Sequence, residues 1–216
     1  MSVSNISTDI VNLALDIIKT ENINNVVIPD GNKIAVVANR WYDDLRQRAL
    51  EGFPWNFACT RASIPLNETA PAFGFDDAYV LPTDYLSLNF IQYWDYPLSR
   101  WNYVIEDGNL FMDNSGAESL DIGYTFDQRH VVKFSPSFKL YLAYLIAEKI
   151  VYKLTGNAGL QGRVSSGLKA EELNARANNG KSNPPVAFRT SRMLQGRRVY
   201  GGSSLTGLYE EQNGRT

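Results

Sequence analysis

A chain of 216 residues, 44% of them apolar, is long enough for one sizeable hydrophobic core with a small satellite. Its formal charge of −2 excludes a chain-wide electrostatic footprint for nucleic acid, and its single cysteine, Cys59, excludes an internal disulfide and points to a reducing compartment. No apolar run approaches the ~18 residues of a membrane-spanning helix, and Met1-Ser2-Val3-Ser4-Asn5 opens without a basic region leading an apolar one, so no membrane anchor or signal peptide is expected.

Charge is unevenly placed. Residues 1–180 carry 15 basic and 21 acidic side chains, whereas 181–216 carry Lys181, Arg189, Arg192, Arg197, Arg198 and Arg215 against Glu210 and Glu211. A basic end on an acidic body suits docking on an acidic partner or on nucleic acid.

In chain order, the pattern first predicts a helix from about Thr8 to Lys19, with Ser7 or Thr8 as cap and Ile10, Leu13, Ala14 and Ile17 on one face. A polar connector with turn chemistry at Pro29-Asp30-Gly31-Asn32 follows. The second helix, about Asn32 to Leu50, presents Ile34, Val37, Ala38, Trp41, Leu45 and Ala49 to a core, leaving Asp43, Asp44, Arg46, Gln47 and Arg48 off the stripe. Gly52 and Pro54 stop it.

From Trp55 to about Thr125 the period becomes that of strands. Trp55 to Ala58 and Ser63 to Leu66 read as extended, and Leu86 to Tyr93 alternates. Tyr103 to Met112 is a hairpin turning on Asp107-Gly108, which Leu120 to Thr125 would complete as a small antiparallel meander. Three of the four tryptophans fall in this block, which predicts a small core of its own. The third helix, about Pro136 to Leu154, is capped by Ser135, apolar nearly all round and therefore central. The fourth, about Ala158 to Asn178, has a narrow stripe and is peripheral or borders a neighbouring subunit. Beyond Gly180 the large apolar residues come singly or in pairs, too sparsely to fold alone, and the segment reads as a disordered tail or as an arm that orders on a partner. Its spaced aromatics and arginines favour the arm.

The residues that could carry chemistry are few. His130 is the only histidine, with Ser135 and Ser137 as neighbouring serines and no Gly-x-Ser-x-Gly elbow. One histidine and Cys59 do not make a zinc site, and no cofactor or metal is expected. The pairs Asp43/Asp44, Asp76/Asp77 and Glu171/Glu172 read as solvated faces. Gly156 to Gly162 follows a helix and lacks the Lys-Ser/Thr of a phosphate loop, so it reads as a helix-to-helix turn.

Several segments resemble, in order, the tail tubular protein A family, the head-to-tail adaptors of short-tailed bacteriophages. They are Asn12-Leu13-Ala14-Leu15, the signature Pro54-Trp55-Asn56-Phe57-Ala58 with Arg61-Ala62, Phe73-Gly74-Phe75, Tyr79-Val80-Leu81-Pro82, Asp84-Tyr85-Leu86, Ile122-Gly123-Tyr124, and Phe134 to Phe138 leading into the third helix. The likeness spans about residues 6–155. It implies a virion structural protein without catalytic residues. It further implies a homo-oligomeric ring of twelve copies between portal and tail nozzle, assembled in the host cytoplasm, with DNA passing through its channel during ejection without sequence-specific binding.

The combined expectation is an α+β chain, mainly α, built as a helical bundle with an inserted small antiparallel β block and an extended C-terminal arm. Residues 1–54 and 135–180 form the bundle, 55–134 the β-rich insertion and 181–216 the arm. Phe188, Arg189, Arg192, Arg197, Arg198 and Tyr200 of the arm are expected to dock on the portal. Trp94, Tyr96 and Trp101 of the β block are expected to face the next tail component, and Pro54, Trp55, Asn56, Phe57 and Arg61 to be core anchors. Two other classes stay open: a connector-associated cell-wall hydrolase using two of Glu51, Glu68, Asp84 and Glu106, and a nucleic-acid-binding module using Arg197 and Arg198.

Overall fold

The structure is a computed structural model that describes residues 3–27, 32–69, 71–92, 103–114 and 116–182. The portal-docking residues and Trp94, Tyr96 and Trp101 lie outside the described residues.

Helix α1 (Val3–Ile17) starts ahead of the expected Thr8. Thr8 is therefore not a cap, and its Oγ1 accepts a hydrogen bond from Val26 N at 3.2 Å. One turn on, Asn12 brackets Ile23, donating Nδ2 to its carbonyl (3.0 Å) and accepting its N–H on Oδ1 (2.9 Å). The polar connector is thus tied back along the helix, and Ile23 and Val26 are buried. Helix α2 (Lys33–Glu51) is capped by Asn32, whose side chain accepts from Ile34 N.

After Pro54, residues Asn56–Ala58 form a 3-10 turn rather than the expected extended segment. Six strands follow among the described residues: β1 (Cys59–Pro65), β2 (Asp77–Val80), β3 (Tyr85–Ile91), β4 (Tyr103–Glu106), β5 (Asn109–Met112) and β6 (Ser119–Phe126). They make two antiparallel sheets, β1-β6-β3 and β2-β5-β4, linked by a bridge between Leu66 and Tyr79. The β4–β5 hairpin turns on Asp107 and Gly108, both at positive φ (45° and 72°), as a two-residue turn of the primed kind requires. The meander is not completed. Strand β6 leaves the hairpin for the other sheet, where Leu120, Ile122 and Tyr124 alternate into a core built from both sheets with Ile64, Tyr79, Leu110 and Met112.

Helix α3 (Pro136–Thr155) is capped by Ser135, ends on left-handed Gly156, and packs against α1, α2 and α4 (Ala158–Gly180). Its Phe138, Leu142, Ala143, Ile146, Ala147, Ile150 and Val151 are fully sequestered, as a centrally placed apolar helix requires. In α4 only Val164 and Ala175 are buried.

The expectation of a mainly α bundle with a small β insertion is overturned. Among the described residues about 49% are helix and 22% strand, in four helices and two three-stranded antiparallel sheets, which is an α+β mix. The β part is a lobe with its own hydrophobic core, because pairing β1 with β6 across the whole block gives two sheets that bury each other's inner faces. Trp55, counted with the β block in sequence, belongs instead to the helical core.

Candidate functional site

Four places in the fold gather side chains that sequence reasoning or geometry marks as functional. The first is the junction at Trp55, which is 1% exposed. Its Nε1 donates to the carbonyl of Ala49 at 2.8 Å, one of the last four carbonyls of α2 and without a partner inside the helix. The indole makes edge contacts with Phe53 and Phe138, both at 4.9 Å between centroids, and Phe57 packs on Phe134 and Phe138 at 5.3 and 4.9 Å. Asn56 binds the far end of α4: its N–H donates to Asn179 Oδ1 (2.9 Å) and its Nδ2 to the Asn179 carbonyl (3.0 Å). Pro54, Trp55, Asn56 and Phe57 therefore gather α2, α3 and α4 at one point.

Arg61 lies elsewhere, on the first sheet. Arg61, Gly123 and Phe90 stand in one row across β1, β6 and β3. The Phe90 ring covers Gly123, and the Arg61 guanidinium sits 5.5 Å from the ring centroid.

The second place was not visible in sequence. Arg46, placed off the core stripe, is 2% exposed. Its Nη1 pairs with Asp127 Oδ1 and donates to the Gln128 carbonyl at 2.9 Å, and its Nε reaches Asp43 Oδ1 at 3.3 Å. Asp127 also accepts from Gln47 Nε2 (3.3 Å) and Arg129 Nε (2.9 Å). Burial pushes its carboxyl up, but the hydrogen bonds from Arg46, Arg129 and Gln47 outweigh burial and hold it below the usual carboxylate range. The partners are about eighty residues apart in sequence, and a lone arginine in a helical stretch carries no signal of such a pairing.

The third place tests the catalytic candidates. Glu51 lines a cleft of about 650 Å³ between α2, α3 and α4, together with Arg48, Glu148, Lys169, Glu172 and Arg176. Asp84 lines a recess of about 390 Å³ with Thr83, Asp127 and His130. Glu106 borders a groove of about 410 Å³ on the second sheet, and exposed Glu68 stands beside that groove's Asn67 and Thr69. The four candidates are thus spread over three places, whereas glycoside hydrolysis needs two carboxyl groups facing one another across a single cleft. Asp84 itself accepts from the Tyr124 hydroxyl at 3.1 Å, and burial together with the Asp84 carboxylate pushes that phenol up to about 12.

The serines near exposed His130 are engaged otherwise. Ser135 Oγ accepts from Phe138 N at 3.3 Å and Ser137 Oγ from Asn178 Nδ2 at 2.9 Å. Burial pushes the Cys59 thiol up, which disfavours the thiolate, and its sulfur accepts from Asn89 at 3.4 Å. Among the described residues no three His, Cys, Asp or Glu side chains gather as a metal site. Of the doublets read as solvated faces, Asp43, Asp44 and Asp76 are exposed, but Asp77 is buried, accepting from the N–H groups of Asn114 (2.8 Å) and Gly116 (3.0 Å) and fastening that loop to β2.

The fourth place is the groove itself. Its floor is the row Ala78–Phe111–Val104 across β2, β5 and β4, and its wall is the loop carrying Pro71, Phe73 and Phe75. Phe73 is 89% exposed. No family model matches the chain, and no curated protein matches it.

Proposed function

We propose that this chain is a structural adaptor subunit of a short-tailed phage. It assembles into a ring of twelve copies between portal and tail nozzle, leaving a channel for DNA. The observation that carries the reading is where the most specific part of the resemblance lies. Pro54-Trp55-Asn56-Phe57 is the point where α2, α3 and α4 are fastened together by one sequestered indole and one asparagine pair. A segment with that task tolerates few substitutions, so its presence in family order with Tyr79-Val80-Leu81-Pro82 and Asp84 is hard to arrive at by chance. The former runs off the end of β2, and Asp84 accepts the Tyr124 hydrogen bond. Residues 181–216 are assigned to portal docking on their charge.

Mass photometry of the 24.2 kDa protein, alone and mixed with the portal protein of the same phage, tests the reading. Addition of about twelve subunits per portal is expected, and loss of that addition on deleting 181–216. A portal whose mass does not change on mixing refutes it. A muralytic assay on the purified protein should show no lysis.

A further inference from the structure

The β lobe beyond β1 and the part of the chain that forms α3 and α4 carry opposite charge. The described residues between Leu66 and Thr125 include nine carboxylates and no lysine or arginine, and of the nine only Asp77 is buried. Residues 126–182 have nine lysines and arginines against four carboxylates. Separation of this kind produces a field that orients one copy against another before contact.

Each pole also exposes apolar surface. In the acidic lobe it is the groove floored by Phe111 and Val104, walled by Phe73, and rimmed by Glu106 with Glu68 beside it. On the basic pole, where Val132 and Leu173 are exposed as well, it includes Tyr152 of α3, 59% exposed, with Lys149 on its helical face at i−3 and exposed Lys153 next to it in sequence. An aromatic side chain with one cation a turn before it on the same face and a second at the next position fits an apolar groove rimmed by carboxylates, the arrangement of an interface anchor within a polar rim.

We propose that the groove on the second sheet receives the Tyr152 end of α3 from a second copy of this chain. The contact is heterologous: each copy offers one groove and one α3 end, and such contacts close into a ring when the rotation between neighbours permits. This inference rests on the ring reading and names the surfaces that build the ring. Nucleic acid is disfavoured as an occupant because the groove's surroundings carry the charge of its phosphates.

Full-length charge-reversed variants test the assignment, with mass photometry of assembly on the portal as readout and far-UV circular dichroism as the check on fold. Glu68→Lys/Glu106→Lys in one variant and Lys149→Glu/Lys153→Glu in another should each weaken assembly by about tenfold or more, as should Tyr152→Ala. Mixed in equal amounts, the two charge-reversed variants should recover assembly, since each then supplies the complement the other needs. If folded variants assemble as the wild type does, or the mixture fails to recover, the assignment of these surfaces is wrong while the ring stands. If the wild type adds nothing to the portal, the ring reading fails and takes this contact with it.

Discussion

Replacing Trp55 by alanine removes both a large buried side chain and the donor that closes the C-terminal end of α2 on Ala49. The rings of Phe53 and Phe138 that packed on the indole lose that contact, so a loss of about 3–5 kcal/mol is expected in chemical denaturation. Trp55→Phe keeps aromatic contacts and strands the Ala49 carbonyl, which should cost nearer to ~1 kcal/mol. Equal losses for the two variants would show that the hydrogen bond to Ala49 alone matters there and that the packing adds nothing. Asp127 makes a second prediction through its pKa. Its carboxyl is held below its ordinary range in the folded protein. The stability it contributes is therefore complete above the unfolded value of about 3.9 and is lost as pH falls through the folded value. Asp127→Asn leaves buried Arg46 without its main counter-charge, which should cost about 3 kcal/mol at neutral pH. Urea melts of both proteins from pH 7 to 3 should show the gap closing at the acid end. A gap that stays constant would sink the idea that this carboxylate is ionised by its partners.

At the scale of elements, the first sheet depends on a residue that lacks a side chain. A Cβ on Gly123 would stand 2.2 Å from the Phe90 ring, so Gly123→Ala must push the ring off β6 and away from Arg61. The expected cost is about 1–3 kcal/mol. Combined with Phe90→Ala the cost should be less than the sum of the two single changes, because the second removes the clash created by the first; strict additivity in a double-mutant cycle would refute the contact. Which elements were legible follows from range. The four helices, the Ser135 cap, the Gly156 stop and the Asp107-Gly108 hairpin rest on neighbouring residues, and the structure has each of them. The destination of β6 was not legible, because the alternation of Leu120, Ile122 and Tyr124 states that a strand exists and says nothing about its partner. The early start of α1 was missed for a related reason: Ser7 and Thr8 have cap chemistry, and only the folded chain shows Thr8 spent on Val26 instead.

For the whole molecule the open question is whether two hydrophobic cores mean two independently melting halves. The helical core and the β core are separate clusters, but three ties run between the helices and the first sheet. Leu86 of β3 packs on the helical core, Arg46 of α2 reaches Asp127 and Gln128 just beyond β6, and only the Asn56–Ala58 turn separates the Trp55 anchor from β1. The candidate anchors at Pro54 to Phe57 were legible as a junction, whereas the Arg46 tie was not, since nothing in a helical stripe marks an arginine whose counter-charge arrives from beyond six strands. With a buried ion pair and an aromatic anchor shared across the boundary, opening one core exposes part of the other, and unfolding should be cooperative. Leu110→Ala is the test, because Leu110 is wholly buried in the second sheet, in the core the helices do not line. The substitution should lower stability by about 2–5 kcal/mol. Helical ellipticity at 222 nm should then lose its structure at the same denaturant concentration as near-ultraviolet tyrosine signals from the β lobe. Were the helices to keep the wild-type midpoint while the β signals shifted, the two lobes would be energetically independent, and Arg46 and Trp55 would be local fastenings rather than the links that make one folding unit.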